Sequence, residues 1–299
     1  MNNNTVILFA TSLFRLTMIQ TIDNRNTETN SLDVTNSIFS FVILYECKDG
    51  SVHLIFCEKN GTVLDAHEVA KGQIKHDKYV KSLAWSSMED ILATGSADGR
   101  VQIHKLVWNL FDSNGAVVEK IQTLQLQGPV ESLCFRGNQL CCYARGSPYL
   151  LCFDLNDNFS QQKINLNRDT GTAGFDDHVS FAVMDMSPYE DNYMALATDT
   201  SRNIIMDWRN GQHVRNLYGH KNDSYSQPKL AWSKNGQYLY GNTQNESVVC
   251  VWDIATSSIV DRLESHSKTI RDMYSSNLTE TLVTTSYDKK TQFWLSSTD

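Results

Sequence analysis

Three residues near the end of the chain have the types that a nucleophilic triad needs. His266 could serve as a general base, Thr284 offers a hydroxyl, and Asp288 offers a carboxylate to orient the imidazole; Trp294 follows them. Such a triad works only with an exposed nucleophile and an oxyanion hole beside it. The same set recurs earlier as His76, Thr94 and Asp98, with His104 where Trp294 stands. An enzyme has little use for duplicate triads, whereas a repeated structural unit needs its polar fittings in every copy. No G-x-S-x-G, Walker A, G-x-G-x-x-G or H-E-x-x-H motif accompanies them.

The elements that position these residues are short strands. "YVKSLAWSS" (79–87) and "TIRDMYSS" (269–276) alternate apolar and polar residues at period two. "LATGSADGRVQIH" (92–104) and "VTTSYDKKTQFW" (283–294) each carry a small hydroxyl residue, a polar turn at an Asp, and a further strand. A third copy runs from 218 to 263, with Gly219-His220, "KLAWS", "QYLYGN" and "VVCVWD".

These stretches closely resemble the WD40 repeat, a unit of about 40–45 residues that forms one four-stranded propeller blade. The resemblance implies an all-β chain, a WD40-like β-propeller in a single domain over residues 1–299. Third strands are expected to end near Ile55, Cys152 and Met206, giving six blades between residues 36 and 294. A seventh is expected from residues 5–35, where "TVILFAT" and "LFRLTMIQTI" are strand-like, with six blades plus a closing strand as the alternative. The last blade lacks an outer strand after Trp294, so an N-terminal strand is expected to close the ring and cover open sheet edges.

By the same resemblance His266, Thr284, Asp288 and Trp294 form a structural tetrad, and His76, Thr94 and Asp98 form its counterpart. The physical logic is that Asp accepts from His, the other imidazole nitrogen meets the hydroxyl, and the Trp N–H can reach that hydroxyl too. Every buried polar group is then satisfied. The pattern degenerates elsewhere: the third copy offers Asn245 or Glu246 for the Asp, and Met206 stands in a Trp place.

Composition narrows the function. The 299 residues carry a net charge of −8 with a pI near 5.5, which repels phosphate backbones and argues against general nucleic-acid binding. No stretch reaches the roughly 18–20 apolar residues of a membrane span. "VILFATSLFRLTMI" (6–19) has Arg15 inside its apolar run and no basic n-region, so it is expected to be a strand rather than a signal peptide. Seven cysteines follow neither disulfide nor zinc spacing, which points to a reducing compartment, cytoplasm or nucleus. No cofactor or metal is implied.

What remains is a non-catalytic platform that binds peptides or partner subunits through propeller loops. Tyr79, Lys268 and Tyr287 are the candidate anchors on the loop face that bears His76 and His266. Trp108 and Phe111 near the tip of a long hairpin (101–126) are further candidates, as is the polar connection 165–177. Asp207 and Arg209 in "MDWR" match part of the W-D-x-R motif of cullin-4 ubiquitin-ligase substrate receptors, with Met206 departing from it. Such a receptor, binding a ligase adaptor, is one alternative; a propeller hydrolase acting on a modified protein is the other.

Overall fold

The computed structural model describes residues 16–22, 38–46, 49–60, 63–86, 90–108, 116–166, 181–190, 192–223, 226–243, 247–264, 266–275 and 281–295. Every regular element among these residues is a β-strand. Runs rich in Val, Ile, Leu and aromatic residues, cut by polar Gly- and Asp-containing turns, favour this outcome.

Each sheet is an antiparallel meander of consecutive strands. The first contains β1 (Leu16–Ile22), β2 (Ile38–Glu46), β3 (Ser51–Asn60) and β4 (Val63–Lys75); the second contains β5 (Val80–Ser86), β6 (Ile91–Ser96), β7 (Arg100–Trp108) and β8 (Ala116–Gln125). The third holds β9 (Val130–Arg136), β10 (Gln139–Ala144), β11 (Tyr149–Asp154) and β12 (Ser160–Asn165). The fourth holds β13 (Val183–Tyr189), β14 (Tyr193–Thr198), β15 (Asn203–Asp207) and β16 (Gln212–Leu217). The fifth is built from β17 (Leu230–Trp232), β18 (Tyr238–Asn242), β19 (Val248–Asp253) and β20 (Ser258–Glu264). The sixth has β21 (Ile270–Ser275), β22 (Thr281–Ser286) and β23 (Thr291–Leu295) among the described residues.

The described residues form six sheets, and part of the segment expected to build a seventh blade joins the first of them. Leu16–Ile22 pairs with β2, from Leu16 opposite Tyr45 to Ile22 opposite Ser40, and completes the first sheet. Without it that sheet would have three strands, so the segment is used there rather than in a sheet of its own. The closing strand expected from residues before Leu16 lies outside the described residues, as do Phe111, Asn245, Glu246 and nearly all of the connection 165–177.

The core lies between sheets, not within them. The inner strands β5, β9, β13, β17 and β21 stand side by side, and side chains interleave across each gap. Leu140 and Cys142 of the third sheet pack with Ala93 and Ile103 of the second. Cys141 and Cys152 face the other way, onto Val183, Met194 and Met206 of the fourth, because neighbouring residues on a strand point to opposite faces. Middle strands are therefore covered on both sides, and all six residues of β6 are buried. Outer strands such as β20 are largely exposed.

One irregularity recurs and shapes the site. Pairing slips by one residue at the start of β5, β9, β13 and β21, at Lys81, Glu131, Met184 and Arg271. A bulge of this kind re-aims the extra side chain. It places Lys81, Glu131 and Arg271 at the same end of the second, third and sixth blades.

Candidate functional site

The loops before the inner strands and the turns between second and third strands meet at one end of the sheets. Ala97 N–H donates to Tyr79 O at 3.1 Å, and Tyr287 N–H donates to Thr269 O at 3.1 Å in the sixth sheet. Tyr79 and Tyr287 thus sit on one face, called here the His-loop face.

Beneath this face the two polar tetrads have matching geometry. In the second sheet His76 Nδ1 lies 3.2 Å from Asp98 Oδ2 and Nε2 lies 2.8 Å from Thr94 Oγ1. In the sixth sheet the distances are 3.0 Å from His266 to Asp288 and 2.9 Å to Thr284, and Trp294 Nε1 donates to Thr284 Oγ1 at 3.1 Å. Each Asp also accepts backbone N–H groups: Asp77 and Arg100 donate to Asp98, and Ser267 and Lys290 to Asp288. Burial alone would raise both carboxyl pKa values, but these donors and the histidines overcome it and hold both groups below the usual range. Burial pushes the His76 pKa down despite Asp98, which keeps the ring neutral. Thr94 and Thr284 have no exposed surface, so neither hydroxyl can reach a substrate.

The other described sheets fill these places with different chemistry. The register sets Gly241 in the fifth sheet where Thr284 stands in the sixth. A Cβ there would lie 2.9 Å from Leu230 Cδ2 and from Trp252 Cζ3, so no hydroxyl residue fits. His220 instead packs edge-on against Trp252, with ring centroids 5.1 Å apart. Its nitrogens find no partner among the described residues, and burial pushes its pKa down to about 4. Trp252 Nε1 donates to Tyr218 O at 2.8 Å. The third sheet has Cys142 and Phe153 in the Thr and Trp places, and the fourth has Leu196 and Met206, all buried. In the second sheet His104 fills the Trp place with both nitrogens unpartnered among the described residues, its pKa pushed down to about 4 chiefly by burial.

Toward the His-loop end of the inner strands a largely buried ribbon of charge crosses the blades. Glu131 pairs with Lys81 of the second sheet and accepts from Arg145 Nε at 2.7 Å. Arg145 reaches Asp199 of the fourth sheet at 3.6 Å. Lys229 Nζ donates to Asp185 at 2.9 Å, and Leu230 N–H donates to the same carboxylate at 3.0 Å. These pairs tie successive blades together at their inner strands.

Between the fifth and sixth blades the face opens into a groove of about 190 Å³. It is lined by Asn222, Ser226, Gln227, Pro228, Asn242, Thr269, Ile270, Arg271 and Tyr287. Asn242 braces the wall by accepting Lys229 N–H at 2.6 Å and donating to Ile270 O at 3.0 Å. The Arg271 guanidinium lies 4.8 Å over the Tyr287 ring.

The structure separates the candidate residues into two groups. Tyr79 and Tyr287 are 49% and 50% exposed on the His-loop face, and Lys268 is exposed beside them. Asp207 and Arg209 lie at the turn between the third and fourth strands of their blade, on the opposite face. There they form a two-pronged pair, Nε to Oδ1 at 3.0 Å and Nη2 to Oδ2 at 2.6 Å. Trp108 ends β7 opposite Ala116 of β8, at that same far end. Sequence reasoning missed Arg271, Glu131, Arg145 and Asn222. A signal existed for the first two: "VKS", "VES" and "IRD" place a charged residue after the first β-branched residue of an inner strand.

Meanders set inner strand beside inner strand, with the core in the gaps between them, define a β-propeller. Residues 70–105 match the family model described as WD domain, G-beta repeat, a segment that runs from His76 through Asp98 to His104. The fold is a β-propeller, and it carries one match to the WD repeat, at residues 70–105. No curated protein matches it.

Proposed function

We propose that the protein is a non-catalytic interaction platform, one propeller domain across residues 1–299, working in the cytoplasm or nucleus and binding a peptide or partner subunit on its His-loop face. WD40 propellers generally serve as protein-interaction scaffolds, and the observation that carries this reading is the pair Tyr79 and Tyr287. Two half-exposed tyrosines stand on one face, Tyr79 in the loop before the inner strand of the second blade and Tyr287 in the turn between the second and third strands of the sixth. The tetrads below them do not use their rings. Aromatic anchors on a rigid frame are the usual source of binding energy at such surfaces.

The test is capture of binding proteins by wild type, Tyr79→Ala/Tyr287→Ala and Arg209→Ala, each verified as folded by circular dichroism. The tyrosine variant should lose the principal partner, and Arg209→Ala should keep it. A cullin-4 substrate receptor requires the reverse for the ligase adaptor, with Arg209 leaving Asp207 to meet it. Loss of the same partner set in the Arg209 variant alone would favour that reading over ours.

A further inference from the structure

We propose that the groove between the fifth and sixth blades receives a side-chain carboxylate, Asp or Glu, from a bound peptide. The proposal rests on the His-loop face being the interaction surface and adds the chemistry of one contact on it.

Arg271 carries the main observation. It occupies the bulge position that Lys81 and Glu131 occupy in their own blades. Those two residues pair with each other, whereas Arg271 has no carboxylate partner among the described residues and stacks on the Tyr287 ring. Guanidinium stays charged at any physiological pH, and stacking on an aromatic face leaves its edge N–H groups free. That edge matches the two oxygens of a carboxylate.

Asn222, which also lines the groove, supplies an independent observation. Its side-chain Nδ2 and Oδ1 are shielded from solvent and find no partner among the described residues. A buried amide left in this state is costly unless something completes it. A carboxylate held by Arg271 would accept from Nδ2 once the Asn222 side chain turns into the groove. Asn242, by contrast, already spends its amide on Lys229 and Ile270, so it shapes the groove without recognising anything.

Size and field agree with one side chain. The groove, at about 190 Å³, is smaller than the roughly 300–1,000 Å³ of small-molecule pockets. Of the acids next in sequence to groove residues, Asp288 is held by His266 and two backbone N–H groups, and Asp223 accepts from the Ser226 hydroxyl at 3.0 Å and is exposed. Exposed Lys268, two residues before Ile270, adds positive charge at the mouth. Because the chain as a whole is at −8, attraction for an acidic segment must come from this local patch and should weaken with salt.

The experiment uses an array of degenerate nonapeptides whose central residue is fixed as Glu, Asp, Gln or Asn. Wild type, Arg271→Gln, Arg271→Lys and Asn222→Leu are compared, each with an unchanged melting temperature. Wild type should retain the Glu and Asp sets at least tenfold over Gln and Asn. Arg271→Gln should abolish that preference, Arg271→Lys should keep part of it, and Asn222→Leu should reduce it several-fold. Equal retention of Glu and Gln peptides that still depends on Tyr79 would overturn the carboxylate assignment while leaving the interaction face intact. Peptide retention that ignores Tyr79, Tyr287 and Arg271 alike would overturn both.

Discussion

Replacing Asp288 with alanine removes three accepted hydrogen bonds at once, and the structure ranks their cost. Ser267 N–H and Lys290 N–H, 3.0 and 2.9 Å from the carboxylate, belong to exposed residues and can turn to water. His266 cannot, because its side chain is 1% exposed. A buried donor left unpaired costs about 1–3 kcal/mol, and a bond to a charged acceptor is itself in the range of about 1.5–3 kcal/mol. Together these give a loss of about 3 kcal/mol. At about 2 °C per kcal/mol for a chain of this size, the melting temperature should fall by about 6 °C. Asp207→Ala is the control, since it too removes three accepted bonds, all from the exposed Arg209. Its surface pair should contribute no more than about 1 kcal/mol. Differential scanning fluorimetry and urea unfolding on both variants measure the contrast. Equal losses would refute the reasoning that burial of His266, not the number of bonds, sets the price.

Acid should weaken the fold through His104. Its folded pKa of about 4 lies below its ordinary 6.5, so its stabilisation is full above pH 6.5 and is lost as the pH falls towards 4, by about 3 kcal/mol in all. His104→Leu should reduce the loss of urea-unfolding stability across that window, with His220 supplying much of what remains, and an unchanged slope would count against it. Gly241→Ala should cost about 1–3 kcal/mol by pressing a methyl group against Leu230 and Trp252, measured as a lowered urea midpoint. Glu131→Gln leaves Lys81 and Arg145 facing a neutral amide and should cost about 2–3 kcal/mol by the same assay.

The repeat was legible because its polar residues recur at fixed offsets. The His, Thr and Asp of the second and sixth blades come together as their spacing requires, since a one-residue slip would turn each side chain to the other face. Blade number was less legible. A strand-like segment such as Leu16–Ile22 carries no mark of which sheet it joins, and its partner β2 lies beyond a long connection. The third strand of the third blade ends near Cys152, as expected, but its Trp place falls on Phe153, which alternation among Leu140, Cys141 and Cys142 leaves ambiguous in the sequence. The groove was illegible for a different reason. Asn222 and Arg271 are far apart in sequence, and only the packing of the fifth blade against the sixth brings them to one wall. Met206 marked a degenerate tetrad correctly, but Gly241 gave no warning, since "YLYGN" supports a strand whichever face the glycine takes.

Hydrogen–deuterium exchange on the protein bound to a captured partner tests most directly whether the His-loop face is the interaction surface. Slowed exchange is expected in residues 76–81, 97–100, 266–271 and 286–290, the loops that carry Tyr79, Lys268, Arg271 and Tyr287. Slowed exchange confined to residues 207–212 and the far end of β7 and β8, with the His loops unchanged, would contradict it.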